Sequence, residues 1–328
     1  MIIDAHHHLW DPADRPYPWM DDSVAPLRRR FDLDDLRAAS GPATRAVAWA
    51  TGDVAGSSPR DGGASSSPRD GGASSSPRDG GAGSSPGDGI TATIVVQAVH
   101  DPGETTWLLA QPAPVAGVVG WVDLTAQDVA DRLAALRQHP RLVGIRHQAQ
   151  DEPDPDWLAR PDVVRGVRAV ADAGFVFDLL VRGAREHAAA IALVDAVPDG
   201  TFVLDHAGKP AIADDPDDPT VRIAWRARMQ DLAARPNVSC KVSGLLTEAG
   251  ADWRQRPVAR YAREAVEAFG PDRAMFGSDW PVSTLAADYA TVVHTTQHAL
   301  VDLSDDERDA VFHRTAARVY LAEDQPQT

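Results

Sequence analysis

Short β-branched and aliphatic runs alternate with longer amphipathic stretches along most of this chain. The apolar runs fall at residues 2–8, 91–98, 115–122, 142–147, 175–181, 201–206, 238–242 and 274–279. Each has the length of a buried strand. Between them, "AQDVADRLAALRQH" (126–139) and "VVRGVRAVADAG" (163–174) place apolar residues at helical spacing, and the second ends in a glycine suited to a helix C-cap. Strands followed by helices imply parallel pairing through crossovers. Eight such strands are the number that closes a (β/α)8 barrel. An open doubly wound sheet normally carries a glycine-rich phosphate turn after its first strand. Here the first strand runs into "DAHHHLWD" (4–11) instead. The predicted fold is α/β, a single (β/α)8 TIM-type barrel spanning 1–328.

The pattern breaks between residues 51 and 89. A nine-residue unit recurs there, with Arg60, Arg69 and Arg78 each followed by Asp-Gly-Gly-Ala. Alanine is nearly its only apolar residue, so the unit cannot bury enough surface to offset the entropy of ordering it. The segment is expected to be a disordered, Gly/Ser-rich insertion within the barrel. "TRAVAWA" (44–50) also reads as a strand. Residues 91–98 are preferred as strand two, because the insertion then lies in a helix-to-strand connection on the barrel's bottom face, away from the chemistry.

Charge narrows the function classes. Against 32 Lys and Arg stand 48 Asp and Glu, a net charge of −16 that repels nucleic acid and anionic membranes. No apolar run is long enough for a membrane span, and the N-terminus has no secretory signal pattern. The single cysteine, Cys240, precludes an internal disulfide. A cytoplasmic protein with a small-molecule substrate is expected, and a homo-oligomer is compatible with the sequence.

The chemistry-bearing residues gather at strand ends. Alternate side chains of a strand share a face, so Asp4, His6 and His8 are expected to point one way and His7 the other. A His-x-His pair by itself also suits hydrogen-bonded polar residues at a strand end. Other strands, however, end in "VLDHAGKP" (Asp205, His206, Lys209), "MFGSDWP" (Asp279, Trp280), "GIRHQ" (Arg146, His147) and "KVS" (Lys241, Ser243). Buried polar groups are costly unless partnered. So many polar residues on one rim of a barrel therefore imply a shared active site.

The ordered set "IDAHHHLWD", "VGWVDL", "GIRHQAQDEPD", "DHAGKP", "KVSGL" and "FGSDWPV" resembles the amidohydrolase superfamily, in the amidohydrolase-2 branch that contains the sugar lactonases. The likeness covers nearly all of the chain outside 51–89. It implies a (β/α)8 barrel and a lactonase, a hydrolase that opens a sugar lactone or related cyclic ester by attack of activated water on the carbonyl. It carries the family's site over to Asp279, His206, His6 and His8; Asp279, a carboxylate at the rim able to accept the water proton, is the candidate general base. Arg146, His147, Lys241 and Trp280 become candidate substrate contacts, and Trp10 and Trp121 candidate apolar walls. Many superfamily members add a strand-five histidine, but strand five here reads "FVFDLLVR", with Asp178 and no histidine. A binuclear metal centre is therefore not expected. Two options stay open: one divalent ion, zinc above others, on His6, His8 and Asp279 with His206 nearby, or a metal-free site. The alternatives within the branch are a metal-dependent decarboxylase of an aromatic or unsaturated carboxylate and a pyrone or muconolactone hydrolase. The first calls for the fuller ligand set, the second for more rim arginines.

Overall fold

Eight parallel strands pair in strict chain order in the computed structural model, which describes residues 1–41, 90–216 and 218–321. They are β1 (Ile2–His7), β2 (Ile90–Val96), β3 (Val115–Gly120), β4 (Leu142–His147), β5 (Val176–Leu179), β6 (Thr201–Leu204), β7 (Val238–Val242) and β8 (Ala274–Phe276). Residues 44–50 and 51–89, read above as a possible strand and an insertion, lie outside the described residues.

Strand alternation sorts the apolar residues into two cores. One face of each strand packs against the surrounding helices; Leu9, Val95, Val118, Ile145, Phe177, Phe202 and Phe276 belong to this layer. The opposite face fills the barrel itself with Ile3, Ala5, Ile94, Val96, Val119, Val176, Val203 and Met275. The helices answer the outer layer with an apolar stripe. The helix Val258–Phe269 buries Val258, Ala262, Ala265, Val266 and Phe269, positions that share one face at 3.6 residues per turn. The helical C-terminal segment, 305–321, brings Ala316, Ala317 and Tyr320 into the inner core. It thereby plugs the barrel at the N-terminal ends of its strands.

In two strands, left-handed backbone cuts the apolar run short. β6 stops at Leu204 and β8 at Phe276, because His206, Ala207, Lys209 and Asp279 have φ of 54°, 47°, 50° and 56°. Left-handed backbone cannot continue a strand. The barrel closes beyond β8 instead, through a parallel bridge between His7 and Trp280. There Asp279 N–H donates to the His6 carbonyl at 2.8 Å, and His8 N–H donates to the Trp280 carbonyl at 2.7 Å. The seam of the barrel is thus built from the residues that carry its candidate chemistry.

Candidate active site

The register of β1 against β2 slips between Asp4 and His7, a bulge that breaks simple alternation. Its effect is to turn Asp4 away from His6 and His8, contrary to the expectation that the three share a face. The Asp4 carboxylate faces the helix layer, where it accepts from Ser278 N–H at 2.8 Å, Ser278 O–H at 2.6 Å and Tyr289 O–H at 2.9 Å. Asp4 therefore clamps the loop that presents Asp279. His7 points outward as expected, 2.9 Å from Thr93 Oγ1.

His6 and His8 face inward, with their Nε2 atoms 3.2 Å apart. Asp279 Oδ1 lies 3.8 Å from His6 Nε2, 3.6 Å from His8 Nε2 and 3.9 Å from His206 Nε2. The His6 and His206 ring centres are 4.4 Å apart. Residues separated by up to 273 positions in the chain thus meet around one point, all of them buried. Two glycines permit the approach. A Cβ on Gly277 would come within 2.6 Å of His6 Cβ, and one on Gly244, whose φ is +67°, within 2.8 Å of His206 Nδ1. The left-handed backbone at His206 and Asp279 is a strained conformation for non-glycine residues, of the kind that persists where surrounding structure enforces it.

Burial sets the protonation states. It lowers the pKa of His8 to about 3 and of His206 to about 4, and holds His6 well below the usual histidine range. The imidazoles are neutral near pH 7 and have lone pairs to offer. Burial acts oppositely on Asp279, raising its pKa above the usual carboxylate value and making it a stronger base.

The site's donor set fits a single cation. His8 Nδ1–H donates to the Val96 carbonyl at 2.7 Å, which leaves the Nε2 lone pair facing Asp279. Asp205 Oδ1 lies 3.2 Å from His6 Nδ1 and accepts Nδ1–H, which puts the His6 lone pair on Nε2. Tetrahedral zinc with nitrogen and oxygen ligands needs donor atoms about 3.3 Å apart. The triangle of His6, His8 and Asp279, with sides of 3.2 to 3.8 Å, matches that size.

Beneath this cluster lies a fully buried charge network. Arg146 spends its donors on the Gln97 carbonyl, Gln97 Oε1 and, at 2.9 Å, Asp205 Oδ2; its Nη1 is 3.4 Å from His6 Nε2. Lys241 Nζ reaches Asp178 Oδ2 at 2.5 Å, Asp205 Oδ1 at 3.0 Å and His6 Nδ1 at 3.3 Å. Lys241, Arg146 and His6 together hold the Asp205 carboxyl ionised despite its burial. Arg146 and Lys241 were expected to meet substrate. They are 2% and 0% exposed and fully paired, so they bear on the site from below.

The other expected substrate contacts have packing partners of their own. Trp280 is buried edge-on against Phe31, with ring centres 5.5 Å apart, and forms the barrel seam. Trp10 is buried beside His8. His147 alternates with inward-facing Arg146 and enters an aromatic stack, 3.9 Å from the ring centres of both His100 and Trp157. Its Nδ1 accepts from Trp121 Nε1–H at 3.2 Å, and its Nε2 donates to Glu152 at 2.7 Å. The contributions of Gln97, Asp178 and Tyr320 were not read from the sequence, whereas Asp205 and Ser243 were placed on the rim without a role of their own. Asp178 stands on β5 at an inward position, which was the available signal; nothing local marks Tyr320.

With this geometry in place, three comparisons bear on the chain. The amidohydrolase family profile matches residues 3–321. The chain belongs to that amidohydrolase family. It is 37% identical to L-fucono-1,5-lactonase of Burkholderia multivorans, over 97% of this chain and 95% of that one. To L-fucono-1,5-lactonase of Burkholderia ambifaria it is 33% identical, over 97% and 94%. A crystal structure of an amidohydrolase from Burkholderia multivorans with bound zinc superposes with a TM-score of 0.76 at 35% identity, covering 98% of this chain and 99% of that one.

Proposed function

We propose that this amidohydrolase is a lactonase that hydrolyses sugar lactones, L-fucono-1,5-lactone or a closely related aldonolactone among them, at the cluster of His6, His8, His206 and Asp279. The observation that carries this reading is the meeting of three neutral imidazoles and one basic carboxylate at the mouth end of the barrel. The family membership and the two lactonase relatives support the choice of substrate.

Ring opening needs a proton taken from water, a donor for the oxygen that gains charge, and a proton for the leaving ring oxygen. Asp279 accepts a proton from water as the water oxygen bonds to the lactone carbonyl carbon. The Ser243 hydroxyl, 3.0 Å from His206 Nδ1, donates to that nitrogen and leaves Nε2–H as the donor to the developing oxyanion. As the ring C–O bond breaks, protonated Asp279 returns its proton to the leaving oxygen, and the product is an open-chain hydroxy acid. His6, His8 and Asp279 would hold a divalent ion, zinc by preference, which when bound supplies Lewis acidity and lowers the pKa of water. Opening an aldonolactone is a reaction of carbohydrate metabolism, which is the setting this reading proposes. A lone buried cysteine suits the cytoplasm, and no helix among the described residues is long and apolar enough to cross a membrane.

A pH-indicator assay across aldonolactones, run with and without chelator, tests the proposal. Acid release with L-fucono-1,5-lactone above the spontaneous rate is expected, with a slower rate after chelation. Binding of lactones with no ring opening at pH 7 would refute it.

A further inference from the structure

The C-terminal segment reaches the active site from underneath. Tyr320 lies in the π-helical stretch Ala317–Leu321 and is buried in the inner core. Its hydroxyl donates to Asp178 Oδ1 at 2.6 Å, and its ring lies 5.1 Å from Lys241 Nζ. Asp178 offers its other oxygen to Lys241 at 2.5 Å, and Lys241 in turn stands 3.3 Å from His6 Nδ1. A continuous line of contacts thus runs from the last described turn of the chain to a histidine of the cluster.

We infer that Tyr320 is a positioning residue for the reaction: by holding Asp178, it fixes the Lys241 ammonium against His6 and Asp205. This rests on the lactonase reading for its kinetic consequence but not for its structural one. Lys241 is shared between two carboxylates, so its location depends on how strongly each competes. The Tyr320 hydroxyl anchors the Asp178 end of that competition. Without it Asp178 Oδ1 has no donor in a site closed to water, and its carboxylate must turn or share its remaining contact. Lys241 then moves toward Asp205 Oδ1, the atom that also faces His6 Nδ1 at 3.2 Å. His6 loses its fixed ring environment although nothing in the mouth has changed. Small displacements of a reacting group weigh heavily on turnover, by about 100-fold for roughly 1 Å.

Tyr320→Phe tests this directly, since it keeps the ring over Lys241 and removes only the hydroxyl. Two readouts are taken on the full-length protein. The first is the side-chain nitrogen resonances of His6 in protein labelled with 15N-histidine, assigned by their loss in His6→Gln. The second is steady-state opening of L-fucono-1,5-lactone. The His6 resonances should shift, and kcat should fall about tenfold with KM held within about twofold. Should Tyr320→Phe fail to fold, Asp178→Asn severs the same line one link further in and is judged by the same readouts. Unchanged His6 resonances in the folded variant, or a wild-type kcat, overturn the proposal. If no lactone is opened even by the unaltered protein, the functional reading falls while the resonances still decide the role of Tyr320.

Discussion

Two separate regions among the described residues each unite two histidines with a carboxylate: His6, His8 and Asp279 at the barrel seam, and His100, His147 and Glu152 above the ends of β2 and β4. In both, the possible donor atoms lie within 4.8 Å of one another. Their hydrogen bonding makes them chemically opposite. At the seam, His8 donates through Nδ1 to a carbonyl and keeps its Nε2 lone pair for the site. In the stack, Trp121 N–H occupies His147 Nδ1, so the ring proton sits on Nε2 and is given to Glu152. The Gln148 backbone N–H likewise occupies His100 Nε2 at 3.1 Å. The second cluster has spent its lone pairs on structure. Proximity of histidines and acids is therefore not enough for chemistry; which nitrogen carries the proton decides.

The contrast is open to test by substitution. The largest effect is expected from Asp279→Asn, which removes the base and keeps the shape. The kcat for lactone opening should drop about 1,000-fold with an unchanged circular dichroism spectrum. Near-normal turnover would remove Asp279 from the chemistry.

Next comes metal affinity, measured by titration calorimetry with zinc. His8→Ala should abolish tight binding, whereas His147→Phe should leave it intact. Loss of zinc in the His147 variant would show that the stack, and not the seam, is the metal site.

A smaller effect should separate stability from catalysis. Phenylalanine at 147 keeps the stacked ring but strands the Trp121 donor and Glu152. It should lower unfolding free energy by about 1–2 kcal/mol in urea titrations, with kcat within about threefold of the parent. A large kcat loss with no change in stability would place His147 in the active site after all.

The smallest effect is a slope. Burial lowers the folded-state pKa of His147 to about 4 from 6.5. The unfolded chain therefore binds more protons between these values, so this histidine's contribution is complete above about pH 6.5 and is lost as pH falls toward 4. Urea midpoints measured through that window should decline in the parent protein and decline less steeply in His147→Phe. Equal slopes would mean that His147 is not buried as a neutral ring.

Much of the site was legible because strand ends in a barrel share one rim, so His6, His8, His206 and Asp279 needed only the correct strand count to be grouped. The alternation rule went wrong at Asp4, where a bulge shifts the face by one residue, and bulges leave no signature in apolar spacing. It also gave no reason to expect the left-handed turns at His206 and Asp279, which shorten β6 and β8. Arg146, Lys241 and His147 were assigned to the mouth because a charged or polar residue at a strand end usually faces solvent or ligand. Here the Asp178 and Asp205 carboxylates bury the two cations, and Trp121 and Trp157 enclose the imidazole.

What the sequence determined alone is what local physics controls: strand and helix periodicity, eight strands joined by crossovers, and a rim of polar strand ends. Tertiary structure decided everything that depends on partners brought from far away in the chain. It chose the lone pairs left free on His6 and His8, the depth at which Arg146 and Lys241 sit, and the joining of Tyr320 to His6. Periodicity repeats within a few residues, but a hydrogen bond between residues 142 or 274 positions apart exists only once the barrel has closed.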